Sequence, residues 1–132
     1  QLRADYSSSD LGMVAISTND TGTHPEDAPE KLAEEARLHG YQFPYLFDGP
    51  QDTAQAYTAA CTPDFFLFGP ERRLVYRGRL DSSRPESGIP VTGEDLRRAI
   101  DAVLAGRPVA SEQYPSMGCS IKWRPGNEPA YA

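Results

Sequence analysis

Cysteine is scarce in this chain, with two thiols, Cys61 and Cys119, in 132 residues. Two are too few for a disulfide scaffold, and their separation excludes a close-spaced metal pair. Histidine is equally sparse. His24 and His39 have no Cys, Asp or Glu partner at ligand spacing, and His39 falls in a last helical turn, where the dipole alone favours a cation. The acidic stretch Asp20 to Asp27 lacks the spacing of a calcium loop. No metal and no cofactor is therefore expected. Long apolar runs are missing: none approaches the roughly 18 residues that span a bilayer, and the first residues lack the charged-then-apolar pattern of a signal peptide. A soluble, cytoplasmic protein with no membrane partner follows as the expectation. Positive charge is also short, at 13 basic against 19 acidic residues and a net charge of -6. With no concentrated Lys or Arg stretch to offset it, this balance repels phosphate backbones and argues against nucleic acid as a partner.

What is present suits one domain and a tail. A hydrophobic content of 39% is enough for a core, while a mean hydropathy of -0.56 and 12 prolines call for exposed irregular segments. Met13 to Ile16, bounded by Gly12 and a polar loop, reads as a buried, central, parallel strand. Asp27 with Glu30 three residues later resembles a capping box, followed by Leu32, Ala33 and Ala36 on one helical face and Gly40 as the stop. Tyr45 to Phe47 reads as a short strand, and Asp52 to Ala60 is helix-compatible. Tyr41, Phe43, Tyr45 and Phe47 alternate around Pro44 and read as core. Asp64 to Phe68 and Leu74 to Leu80 flank a five-residue loop of hairpin length, the second strand carrying Arg77 and Arg79 on a wet face. Thr92 and Asp95 are expected to cap a helix with apolar positions Leu96, Ala99, Ile100, Val103 and Leu104, ended by Gly106 and Pro108. The division expected is a domain over 1–106 and an extended arm over 107–132, which carries Cys119 and Trp123.

"AACTPDFFLF" places Cys61, Thr62 and Pro63 directly before four apolar residues. Proline donates no ladder hydrogen bond, so Pro63 marks a strand start and leaves neighbouring backbone groups for a ligand or another chain. The element order is a layered α/β arrangement, a mixed central sheet with helices on both faces. Met13 to Ile16 and Phe65 to Phe68 both read as buried, yet no upstream strand is available to lie between them.

The stretches "MVAISTND", "GYQFPYLFD", "AQAYTAACTPDFFLF", "RRLVYRGRLD" and "PSMGCSIKWRPGNEP" resemble, in order and spacing, the thioredoxin-like superfamily in its peroxiredoxin-like branch, related to alkyl hydroperoxide reductase C and the thiol-specific antioxidants. The resemblance implies a redox protein whose reactive Cys opens a helix after the first core strand. That segment is missing from these residues, and since Gln1 rather than Met heads them, either a processed chain or part of something longer is expected. The resemblance also implies that Pro63 is a cis proline facing the reactive thiol, with Thr62 before it.

The catalytic candidates are then Cys61, Thr62, Pro63 and Cys119. Cys61 follows a helix C-terminus and precedes Asp64, both of which disfavour a thiolate; Cys119, near Lys122 and Arg124, has more electropositive company. A bridge between the two thiols would need Cα atoms within roughly 7 Å. Two functions compete. One is a thiol-disulfide oxidoreductase or thiol peroxidase that acts on a protein thiol, disulfide or peroxide, its reactive Cys upstream. The other is a redox-silent module that assembles through unpaired strand edges, with homo-oligomers expected.

Overall fold

A computed structural model describes residues 1–132, which divide into two compact units, 1–60 with 120–132 and 61–119. The tail thus contributes to both units rather than forming an arm from residue 107.

In the first unit, a single-turn helix, α1 (Leu2–Asp5), precedes β1 (Ala15–Ser17), which pairs in parallel with β2 (Tyr45–Phe47) in the register Ala15 to Tyr45, Ile16 to Leu46 and Ser17 to Phe47. Parallel pairing needs a crossover, supplied here by a 3-10 turn (Pro25–Asp27) and α2 (Pro29–His39). Gly40 ends α2 in the left-handed conformation at φ 63°, as its sequence position demands. The expected capping box does not form. Ala28 occupies the N-cap without a side-chain bond, and the Asp27 carboxylate accepts instead from Asn19 Nδ2 at 3.0 Å. The helix after β2, α3 (Asp52–Ala56), is shorter than its alanine-rich sequence suggests, because Thr58 turns into positive φ and breaks the ladder.

In the second unit, β3 (Cys61–Thr62) leads through Pro63 into a hairpin of β4 (Phe65–Phe68) and β5 (Leu74–Gly78), antiparallel with a bulge between Leu67 and Phe68. α4 (Glu94–Leu104) lies on this hairpin and buries Leu96, Ala99 and Ile100 of the face its periodicity marks, with Ala102 beside them and Leu67 and Tyr76 from the hairpin, while Val103 is half-buried and Leu104 is exposed. Its N-cap is Gly93 at φ 74°, with no side-chain cap. Asp95 does not close a box. It accepts from Arg79 Nε at 2.5 Å, and Asp81 serves the helix start instead, its Oδ2 accepting from Thr92 N at 2.9 Å and Gly93 N at 2.7 Å. Residue 119 begins β6 (Cys119–Ser120), which pairs with β3.

The chain is mixed α/β, but its strands form three separate two-stranded sheets rather than one central sheet. Strands of two to five residues, one of them bulged, offer each partner only a short ladder. The reading of Met13 to Ile16 as a strand buried on both faces also fails. Val14 is 53% exposed, Ile16 41% and Leu46 49%, so the β1–β2 ladder covers only one face, the one turned to α2. No helix is long and apolar enough to cross a membrane.

Candidate functional site

The residues singled out around the Cys-Thr-Pro corner come together in the second unit. The Thr62–Pro63 peptide bond is cis. Thr62, though 57 positions away in sequence, donates its hydroxyl to the Cys119 carbonyl at 3.3 Å. Gly118 comes closer still: a Cβ placed on it would lie 2.1 Å from Thr62 O and 3.4 Å from Pro63 N, so no side chain fits there. Only a glycine lets the tail run this near the corner.

The two thiols have different settings, and both are free. Cys61 is buried, with Sγ 3.7 Å from Pro63 O as a weak donor. Burial pushes its thiol above the ordinary value, the Asp64 carboxylate adds to the rise, Arg77 opposes it, and Cys119 adds a smaller push. A thiol held protonated in this way is a poor nucleophile at neutral pH. Cys119 is exposed, on backbone fixed by Thr62.

Charged groups expected on a solvated face are in fact engaged around this corner. Arg77 lies 3.5 Å from Asp64, whose side chain is 5% exposed, and its guanidinium stands over the Phe66 ring at 5.1 Å. Arg79 pairs with Asp95 and covers the Tyr114 ring at 4.3 Å. The Ser116 hydroxyl sits 2.8 Å from Asp64 Oδ1 and 2.6 Å from Gly78 O, its one hydrogen shared between them. The corner is thus lined by Asp64, Arg77, Ser116 and Cys119, all within a polar network. No group of three His, Cys, Asp or Glu side chains is gathered anywhere for a metal ion.

In the first unit, the residue that sequence reasoning missed is Gln51. It is 1% exposed and at φ 67°. Its Nε2 donates to Thr18 O at 2.7 Å and Lys122 O at 3.0 Å, while its Oε1 accepts from Arg124 N at 2.9 Å and Asn127 Nδ2 at 3.1 Å. A lone Gln after Gly-Pro carries no sequence signal for this role; its side chain acts as the missing strand edge for residues 122–127. The aromatic series is half-buried rather than core: Tyr41 stacks on Phe43 at 5.0 Å, while Phe43, Tyr45 and Phe47 face Leu32, Ala33 and Ala36 across a shallow apolar groove. Burial, followed by the Glu35 carboxylate, pushes the Tyr45 hydroxyl up to about 12.

Two solved structures are similar to this chain over 95% of its length. An uncharacterized conserved protein from Geobacillus kaustophilus is 54% identical with a TM-score of 0.92, and a hypothetical protein from Sinorhizobium meliloti 1021 is 52% identical with a TM-score of 0.93. The chain belongs to their family. It spans 66% of the first protein's length and 68% of the second's, so both relatives are longer by about a third of their own chains. No family model and no curated protein matches the chain.

Proposed function

We propose that members of this family are thiol oxidoreductases of thioredoxin-like fold, acting on a hydroperoxide or disulfide. In this reading the Thr62–Pro63 corner is a wall of the site. The attacking thiolate comes from the third of the relatives' length that lies outside this chain. One observation carries the reading: Cys119, 57 positions away from Thr62, converges with the contiguous Cys61, Thr62 and Pro63 on one bridge, where an exposed thiol is held against backbone suited to flank a reacting sulfur. The thiolate attacks the terminal peroxide oxygen, an S–O bond forms as the O–O bond breaks, and the alcohol leaves with a proton while sulfur loses two electrons. A second thiol, for which Cys119 is the exposed candidate, then displaces the oxygen as water and forms a disulfide that an external dithiol reduces. Cys61 stays protonated throughout.

The test uses a full-length relative and this 132-residue chain side by side, with hydroperoxide and dithiothreitol. Turnover by the longer protein, together with a thiol of depressed pKa absent from the shorter, is the result expected. No turnover of peroxide or of insulin disulfides by the longer protein would end the proposal.

A second reading rests on a different observation. Val14, Ile16 and Leu46 form an exposed apolar strip on one face of the β1–β2 ladder, which suits a redox-silent module that assembles with a further strand or helix. A full-length relative without turnover that protects this strip from exchange favours it.

A further inference from the structure

Residues 113–119 lie along two edges of the second unit in an order that closes them to other chains. The Gln113 side chain stands in for a strand, with Nε2 donating to Val75 O at 2.9 Å and Oε1 accepting from Arg77 N at 3.1 Å. Arg79 N donates to Tyr114 O at 3.0 Å, and Ser116 engages Gly78 O. Val75 O, Arg77 N, Gly78 O and Arg79 N at the end of β5 and just beyond it therefore have partners already. At Gly78 the approach is so close that a Cβ would sit 2.2 Å from Tyr114 O. Two residues on, Gly118 and Cys119 cover Thr62 in the same manner.

An extended peptide can join a sheet only where N–H and C=O groups are unclaimed. Here the chain's own tail holds that place, with two glycines as the seats. We infer that residues 113–119 are a guard that excludes extended polypeptides from the Thr62–Pro63 corner, so the substrate admitted is a small hydroperoxide rather than a protein disulfide, with Gly118 and Gln113 as specificity-determining positions. The inference rests on the reading of that corner as a substrate wall. The guard itself can be tested without any turnover.

The probe is an extended octapeptide with a central cysteine, titrated under reducing conditions into the 132-residue protein, with amide exchange followed at residues 62, 114 and 116–119. The wild-type chain is expected to give no saturable binding and slow exchange. Gly118→Val, which forces the tail off Thr62, and Gln113→Ala, which loosens it with no steric demand, are each expected to speed that exchange at least roughly tenfold and to open saturable binding at Thr62. If Gly118→Val does not fold by circular dichroism, Gln113→Ala decides. Peptide binding to the wild-type protein overturns the inference. So does absence of binding in a folded variant whose tail has come loose, because the tail is then not what excludes the peptide. Lack of peroxide turnover in a full-length relative leaves these binding results in force and sinks only the functional reading.

Discussion

Replacing Asp81 by Asn removes one charge and one acceptor from the start of α4 and should cost more than any other single polar change in the second unit. The carboxylate is 4% exposed and accepts four bonds, from Ser83 N and Ser83 Oγ on Oδ1 and from Thr92 N and Gly93 N on Oδ2. An amide keeps a single acceptor oxygen and turns two N–H donors toward donors, so two bonds to a charged acceptor are lost. Such bonds contribute about 1.5–3 kcal/mol each, and partial solvent access at the exposed Thr92 reduces the sum to about 2–3 kcal/mol. The pH dependence gives an independent measure. Four donors, Ser83 Oγ first, hold the carboxyl at about 2 against an ordinary 3.8, with burial opposing them. The unfolded chain therefore binds more protons between those values. The charge contributes its full stabilisation above pH 4 and loses it as pH falls through 2, a contribution of about 1–2 kcal/mol once solvent screening is allowed for. Urea unfolding at pH 7 should show the loss, and amides in the first turn of α4 should exchange roughly thirtyfold faster. Between pH 4 and 2 the variant's stability should fall less steeply than the wild type's. A loss under about 0.5 kcal/mol with an unchanged acid slope would refute the assignment of Asp81 as the anchor of this helix.

Gln51→Leu should destabilise the first unit by about 3 kcal/mol or more, since it leaves Thr18 O, Lys122 O, Arg124 N and Asn127 Nδ2 without their partner; Trp123 fluorescence reports release of the tail. A double-mutant cycle on Arg79→Lys and Tyr114→Leu should give a coupling of about 0.5–1 kcal/mol by thermal melts, and additivity would mean that the 4.3 Å stacking is idle. Cys119 should be alkylated at neutral pH well before Cys61, and the labelling midpoint of Cys61 should move down in Asp64→Asn and up in Arg77→Leu, as read by mass spectrometry across a pH series. Because the Cys61 pKa is raised on folding, its protonated state supports the fold below the ordinary thiol range, and that support is lost as pH rises through the folded value.

Patterns that depend on neighbours in sequence were legible. Three of the five apolar positions of α4, the Gly40 stop and the β4–β5 hairpin follow from periodicity and turn chemistry within a few residues and are found in the structure, whereas Val103 is half-buried and Leu104 exposed near the helix end. Capping boxes were misread at both long helices for a common reason. A box requires that the candidate carboxylate have no better donor, and Asn19 and Arg79, distant in sequence, supply one to Asp27 and Asp95. Strand burial was misread because composition cannot tell a strand covered on two faces from one covered on a single face when both run apolar, as Met13 to Ile16 does. At the corner, Cys61, Thr62 and Pro63 are contiguous and were visible; that Cys119 joins them depends on Gly118, whose missing side chain means nothing until Thr62 O is 2.1 Å from where it would stand.

The proposal that the nucleophile lies outside these residues rests on the family resemblance and is supported by the settings of the two thiols. A thiol peroxidase needs a thiolate at neutral pH, which requires a helix N-terminus, a cation or hydrogen bonds to the sulfur. Cys61 has the reverse: it is buried, it donates rather than accepts, and the Asp64 carboxylate acts on it more strongly than Arg77 does. Cys119 has exposure but stands on a two-residue strand with no helix start behind it. Neither has the setting of a first nucleophile; on the reading proposed above that attack falls to a third sulfur, and exposed Cys119 is left to resolve the oxidised intermediate. Activity in this family should therefore survive Cys61→Ser in a full-length relative with little change in kcat, whereas Cys119→Ser should leave the first oxidation intact and stall the return to the reduced state, so that a stoichiometric burst of peroxide consumption replaces steady turnover. A steady rate in the Cys119 variant, or loss of turnover in the Cys61 variant, would reassign the thiols.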